Sequence, residues 1–131
     1  MAREHITVAA AIVERDGAFL MTRRLEGTHL EGLWEFPGGK QHPGETLERC
    51  LAREMREELG CAVDVGATVL ETTHGYAEKT VTLHFFSCVL EGEPVPQDGQ
   101  EMRWVSRAEL RTLPLPEADR VLVERLTVSE S

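Results

Sequence analysis

The chain has little positive charge: 14 Lys and Arg stand against 23 Asp and Glu, a formal net charge of −9 over 131 residues. That balance argues against a nucleic-acid groove or an anionic membrane surface as the main partner, so no stable nucleic-acid complex is expected. An anionic substrate would need positive charge recruited locally, for which a divalent cation is the natural carrier. No apolar run approaches the length of about 18 residues that a membrane helix needs. The start, Met1-Ala2-Arg3-Glu4-His5, has no hydrophobic stretch with a cleavage site, so a soluble, cytoplasmic protein is expected. Cysteine is scarce, odd in number and unpaired in pattern: Cys50, Cys61 and Cys88 contain no C-x-x-C. That excludes a disulfide scaffold and predicts three small core hydrophobes in a reduced interior. Repeats and low-complexity tracts are also missing.

With 41% hydrophobic and 28% charged residues, the composition is that of an ordered globular chain, and its length suits a single domain spanning residues 1–131. Ile6–Val13 is continuously apolar, as in a strand buried on both faces. Asp16-Gly17 marks a hairpin turn returning into a strand over Ala18–Thr22, with Arg23 and Arg24 at its end. A long loop is expected over Leu25–Gly44. Leu47, Leu51, Met55 and Leu59 recur every four residues, predicting a helix over Glu45–Leu59 closed by Gly60. Val63–Thr73, Thr80–Leu90 and Met102–Val105 read as strands. Ser106-x-x-Glu109 is a capping box opening one helical turn, and Glu117–Leu126 reads as a last helix. Strands and helices mix without strict alternation, so an α/β fold is expected, a mixed sheet packed between helices.

The chemistry-bearing stretch is Arg53-Glu54-Met55-Arg56-Glu57-Glu58. On a helix, Glu54, Glu57 and Glu58 fall within an arc of roughly 100°, at the edge of the apolar stripe. Such like-charged neighbours cost an exposed helix about 0.2–0.5 kcal/mol per pair, and partial burial raises the cost. A hard divalent ion, Mg²⁺ or Mn²⁺, would relieve it. The alternative is a solvated Glu/Arg face steadied by an Arg53–Glu57 pair one turn apart.

The wider spacing favours the first reading. Gly39 is followed by Glu45, then Arg53-Glu54-Met55, Glu57-Glu58, Gly60 and Cys61, a 23-residue span. This resembles the Nudix box, G-x5-E-x7-R-E-U-x-E-E-x-G-U with U a bulky aliphatic. All seven fixed positions (Gly39, Glu45, Arg53, Glu54, Glu57, Glu58 and Gly60) match, and Cys61 departs mildly in the last U. Beyond the box, Thr22-Arg23-Arg24, the run Trp34-Glu35-Phe36-Pro37-Gly38-Gly39-Lys40, Gly92-Glu93-Pro94 and Trp104 look like MutT-type members.

The resemblance implies an α/β/α sandwich that hydrolyses nucleoside triphosphates to a monophosphate and pyrophosphate, with 8-oxo-dGTP first and Mg²⁺ as cofactor. It implies Glu54, Glu57, Glu58 and the Gly38 carbonyl as metal ligands, Glu54 or a neighbouring carboxylate as general base, Arg53 as orienting partner, and Glu45 as a tether for the loop or for Arg53. Asp98 corresponds to a carboxylate that relatives use as ligand or base, with Glu101 a rival and a turn-forming Asp the alternative. Substrate contacts are expected from Arg24, His29, Glu35, Phe36, Pro37, Gly38, Tyr76 and Lys79. A surface arginine, a solvated histidine, a core Phe and a strand-capping lysine are the plainer readings of Arg24, His29, Phe36 and Lys79. Asp119 stands where 8-oxo-dGTP-specific relatives carry an asparagine. A carboxylate only accepts hydrogen bonds where an amide also donates, so Asp119 can accept from N–H groups of an oxidised guanine or from the exocyclic amine of a cytosine. CTP, dCTP or a 5-substituted-cytosine triphosphate is the alternative substrate, and an early-turn helix acid is the plainer reading. A non-catalytic nucleotide-binding module is the remote alternative, and such modules commonly lose box carboxylates that are intact here. Either a monomer or a homodimer is compatible with the sequence.

Overall fold

The computed structural model describes residues 4–128. Its spine is β1 (Glu4–Arg15), whose near-continuous apolar run is buried from Ala9 to Val13. Successive side chains leave a strand on opposite faces, so one run feeds two cores. Ala9, Ala11 and Val13 face a cluster with Cys50, Leu51, Met55 and Leu59; Ala10 and Ile12 face another with Phe19, Phe85, Leu122 and Val123.

At Asp16 and Gly17, φ values of 51° and 80° make the tight turn into β2 (Ala18–Arg23). β1 runs parallel to β6 (Lys79–Glu91) from Glu4↔Lys79 to Val13↔Cys88, and β6 pairs antiparallel with the edge strand β5 (Ala62–Gly75). β2 pairs antiparallel with β7 (Met102–Ser106). The result is the expected mixed sheet: β3 (Trp34–Glu35) and β4 (Gly38–Lys40) complete it, with strand order β3-β2-β1-β6-β5, β4 on β1 and β7 on β2.

The stretch 25–44, expected as a loop throughout, contains two short strands: β3 (Trp34–Glu35) on β2 and β4 (Gly38–Lys40) on β1. Neither shows a β-rich pattern in sequence; both exist because β1 and β2 offer unpaired backbone that buried N–H and C=O groups must find. The structure also shortens the predicted helix at its start. α1 spans Leu47–Leu59, because Thr46 is the N-cap, its hydroxyl accepting from Arg49 N–H; Glu45 thus lies outside the helix. Gly60 closes it with φ 62°, the left-handed conformation glycine adopts cheaply. α1 covers one sheet face. α2 (Arg107–Leu110), capped by Ser106 as the capping box predicts, and α3 (Glu117–Val128) cover the other. The three cysteines are buried and free of disulfides, and burial pushes the Cys50 and Cys88 thiols up to about 11. Among the described residues no helix is long and apolar enough to cross a membrane.

Candidate active site

Two glycines bring the Phe36–Lys40 segment against its neighbours. A Cβ on Gly38 would lie 2.0 Å from the Ala9 carbonyl oxygen, and one on Gly39 would lie 2.2 Å from Glu54 Cδ. Ala11 N–H donates to Pro37 O (2.8 Å) and Gln41 N–H to Thr7 O (2.8 Å), so the segment is stitched to β1. Gly38 and Gly39 are therefore fixed by close approach, and they set α1's glutamates beside the β4 backbone.

On α1, Arg53 is the hub. Its Nε and Nη2 donate to the two oxygens of Glu45 (2.6 and 2.9 Å), its Nη1 to Glu54 (2.9 Å) and Glu57 (3.1 Å), and its Nη2 to Lys40 O. The Arg53–Glu57 pair expected from the sequence is present, but as one arm of a larger network. Glu45 also accepts from His42 N–H (2.7 Å); these bonds hold its carboxyl down at about 2 and hold the Arg53 guanidinium above its ordinary value. Glu45 is a tether for both loop and arginine.

Glu54, Glu58 and Glu35 are pushed upward. Burial raises Glu54, against the opposing pull of Arg53. Burial, followed by repulsion from Glu54, Glu35 and Asp98, pushes Glu58 up to about 8. Glu35 is raised by burial although Arg24 Nη1 lies 3.1 and 3.2 Å from its two oxygens. Glu58, Asp98, Glu35 and Arg24 line one cleft. Among the described residues no three acidic, His or Cys side chains are gathered closely enough to form a ready-made metal cage. The donor set nonetheless suits a hard divalent cation. It is all oxygen, and Glu58 is crowded by two neighbouring glutamates and Asp98, opposed by Arg24, the strain such an ion removes.

The Arg24–Glu35 pair is shared with a second cavity of about 130 Å³. Alternate residues of two neighbouring parallel strands give it apolar side chains: Ile6 and Val8 from β1, Val81 and Leu83 from β6. Sequence reasoning missed these four. Their signal is the period-2 match between two strands, visible only once their register is known. His29 and Tyr76, from separate loops, meet edge to face in its wall with ring centroids 5.0 Å apart. Lys79 and Gly38 also line it. Burial, then Lys79 and Arg24, lowers the His29 pKa, which favours a neutral ring. Phe36 also lines the cavity yet packs edge to face on Phe85 in the core.

Asp119, on the first turn of α3, is 3% exposed and lines the cavity. Its Oδ2 accepts from Phe36 N–H (3.1 Å). Burial, then repulsion from Glu35, pushes its carboxyl up to about 8, so Asp119 is an early-turn helix acid, as the plainer reading has it, but a buried one. Glu101, the rival to Asp98, is turned away: it pairs with Arg23 at 2.7 Å. Pro37 serves the cavity through its carbonyl bond to β1 rather than as a lining residue.

A sandwiched mixed sheet with this acid-bearing helix and glycine-tight loop defines a Nudix-type hydrolase. A model of the NUDIX domain matches residues 8–125, and the chain belongs to that family. Within it the chain is MutT-like. It is 38% identical over 120 residues to the CTP pyrophosphohydrolase of Escherichia coli K12, covering 91% of this chain and 89% of the relative. It is 38% identical over 129 residues to the 8-oxo-dGTP diphosphatase of Haemophilus influenzae, covering 96% and 94%. The crystal structure of the MutT protein from Methanosarcina mazei Go1 superposes with a TM-score of 0.88 at 27% identity, covering 100% of this chain and 99% of that one.

Proposed function

We propose that the protein hydrolyses nucleoside triphosphates in the cytoplasm to the monophosphate and pyrophosphate, with 8-oxo-dGTP as its first substrate. The observation that carries this reading is the shared Arg24–Glu35 wall. A base seated in the cavity that ends at Asp119 leads its polyphosphate past that wall into the cleft of Glu58 and Asp98.

In this reading Glu54, Glu57, Glu58 and the Gly38 carbonyl hold Mg²⁺, or Mn²⁺ in its place. The ion, when bound, offsets the triphosphate charge and makes a water more acidic. Glu54 accepts the proton of the attacking water as general base. Water attacks the β-phosphorus; the bond to the α,β-bridging oxygen breaks, the nucleoside monophosphate leaves with that oxygen, and pyrophosphate takes the oxygen of the water. Arg53 keeps Glu54 and Glu57 oriented, Asp98 lines the cleft beside Glu58, and Arg24 contacts the α-phosphate region. His29, Tyr76 and Lys79 flank the base and its sugar, with Phe36 supplying apolar contact.

Asp119 reads the base edge. Near neutral pH its carboxyl carries a proton for part of the time, so it donates as well as accepts, as an amide does. Cytosine triphosphates are the second reading, favoured by the likeness to the CTP pyrophosphohydrolase and by an oxygen on Asp119 that can accept from an exocyclic amine. A panel of triphosphates with Mg²⁺ decides. 8-oxo-dGTP should show the highest kcat/KM, and a preference of about tenfold or more for CTP or dCTP would move the assignment to cytosine. Asp119→Asn should shift that ratio; an unchanged ratio would remove Asp119 as base reader.

A further inference from the structure

The segment between β6 and β7 has no helix or strand of its own, yet it is fastened to the end of α1. Val95 N–H donates to Leu59 O (2.9 Å) and Gln97 N–H to Glu58 O (2.8 Å). These carbonyls belong to the last helical turn, which has no partners within the helix. The Gln100 amide completes the attachment from both of its ends: Nε2 donates to Glu58 O (3.1 Å) and Oε1 accepts from Asp98 N–H (3.0 Å). Gly99, at φ 77°, doubles the chain back so that residue 100 can reach the backbone of residue 98. On the far side, Arg23 N–H donates to Glu101 O (3.0 Å) and its Nη1 to Glu101 Oε1 (2.7 Å).

We infer that Gln100 is a positioning residue whose side-chain amide holds the Asp98 loop against the Glu58 backbone, so that the Asp98 carboxylate is presented to the cleft before substrate arrives. Only a side-chain amide carries donor and acceptor on one group at this reach; a glutamate would lose the bond to Glu58 O. One bridge of this kind removes loop freedom that would otherwise have to be frozen out in each turnover. The inference rests on the proposed role of Asp98 in the reaction.

The test is a double-variant cycle with Gln100→Ala and Asp98→Ala in the full chain, with a second readout on metal-free protein. Gln100→Ala should lower kcat about 10- to 100-fold with KM little changed, the size usual for a residue that orients another. In the Asp98→Ala background the same change should alter kcat less than about twofold, because its effect runs through Asp98. In metal-free protein, Gln100→Ala should speed hydrogen exchange at Asp98 N–H and leave the Met55 and Leu59 amides unchanged. An undiminished kcat in Gln100→Ala, or losses that multiply in the double variant, overturns the inference, as does unchanged exchange at Asp98. A silent Asp98→Ala overturns both the role of Asp98 and this inference while leaving the hydrolase standing. The hydrolase reading fails separately, if the wild-type chain releases pyrophosphate from no triphosphate; Asp98 exchange then decides the clamp alone.

Discussion

Glu58 has acidic neighbours on three elements: Glu54 on its own helix, Glu35 on β3 and Asp98 on the late loop, with Arg24 the opposing cation. A carboxylate so placed is held at a cost that binding a divalent cation would recover. Glu58→Gln keeps the shape and removes the charge. It should lower kcat by about 100-fold or more, in the range of a lost catalytic or metal-binding group, with Tm unchanged or raised. Full activity in that variant would refute the assignment of Glu58 as a ligand. Asp119 gives a pH prediction. Its ordinary value of 3.8 rises to about 8 in the native state, so folded protein keeps a proton that the unfolded chain releases. The stability this confers is whole below about pH 4 and is lost as pH rises through about 8. Asp119→Asn cannot ionise, so its Tm relative to wild type should climb by on the order of 5 °C between about pH 5 and pH 9. Thermal melts in metal-free buffer measure this; a difference constant with pH would mean that Asp119 is ionised throughout.

At the scale of elements, β4 and α1 meet through two glycines that fail in different ways. At Gly38 the obstacle to a Cβ is the Ala9 backbone, which cannot step aside. Gly38→Ala should therefore break the β1–β4 pairing, seen as a fall in Tm and in soluble yield. At Gly39 the obstacle is the end of the Glu54 side chain, which can swing. Gly39→Ala should melt close to wild type yet lose about 100-fold in kcat, since a displacement of about 1 Å at a reacting group costs that much. Equal effects on Tm from the two substitutions would mean that Glu54 is not what Gly39 makes room for.

For the molecule as a whole, β1 sets the spacing. Ala9 and Ala11 are fully buried between the sheet and α1, and small side chains there let the glutamate-bearing helix approach. Ala11→Leu should destabilise by about 1–3 kcal/mol in denaturant unfolding and lower kcat as well, because α1 moves with its carboxylates. Val89, 65% exposed on β6, is the control; Val89→Thr should stay within about 0.5 kcal/mol of wild type. A silent Ala11→Leu would mean that the α1 face is more loosely packed than its burial indicates.

Much of this was legible in the chain. The buried spine, the Asp16-Gly17 turn, the α1 stripe with its Gly60 cap and the 23-residue spacing from Gly39 to Cys61 all follow from local rules, since period, turn chemistry and capping act between residues close in sequence. The tether role of Glu45 came instead from the family resemblance, and its bonds to Arg53 and His42 N–H agree with it. Less was visible where a residue's partner is distant. β3 and β4 form because neighbouring strands have backbone to share, and the apolar cavity exists because Ile6 and Val8 come beside Val81 and Leu83. Asp119 is protonatable because α3 packs it under Phe36, 83 positions away, and Gln100 matters because α1 ends beside it. The sequence alone determined the family and the carboxylate helix. Tertiary structure decided which of the flanking polar residues face the cleft and which carboxyls are pushed upward, because desolvation and repulsion depend on distances that no spacing along the chain encodes.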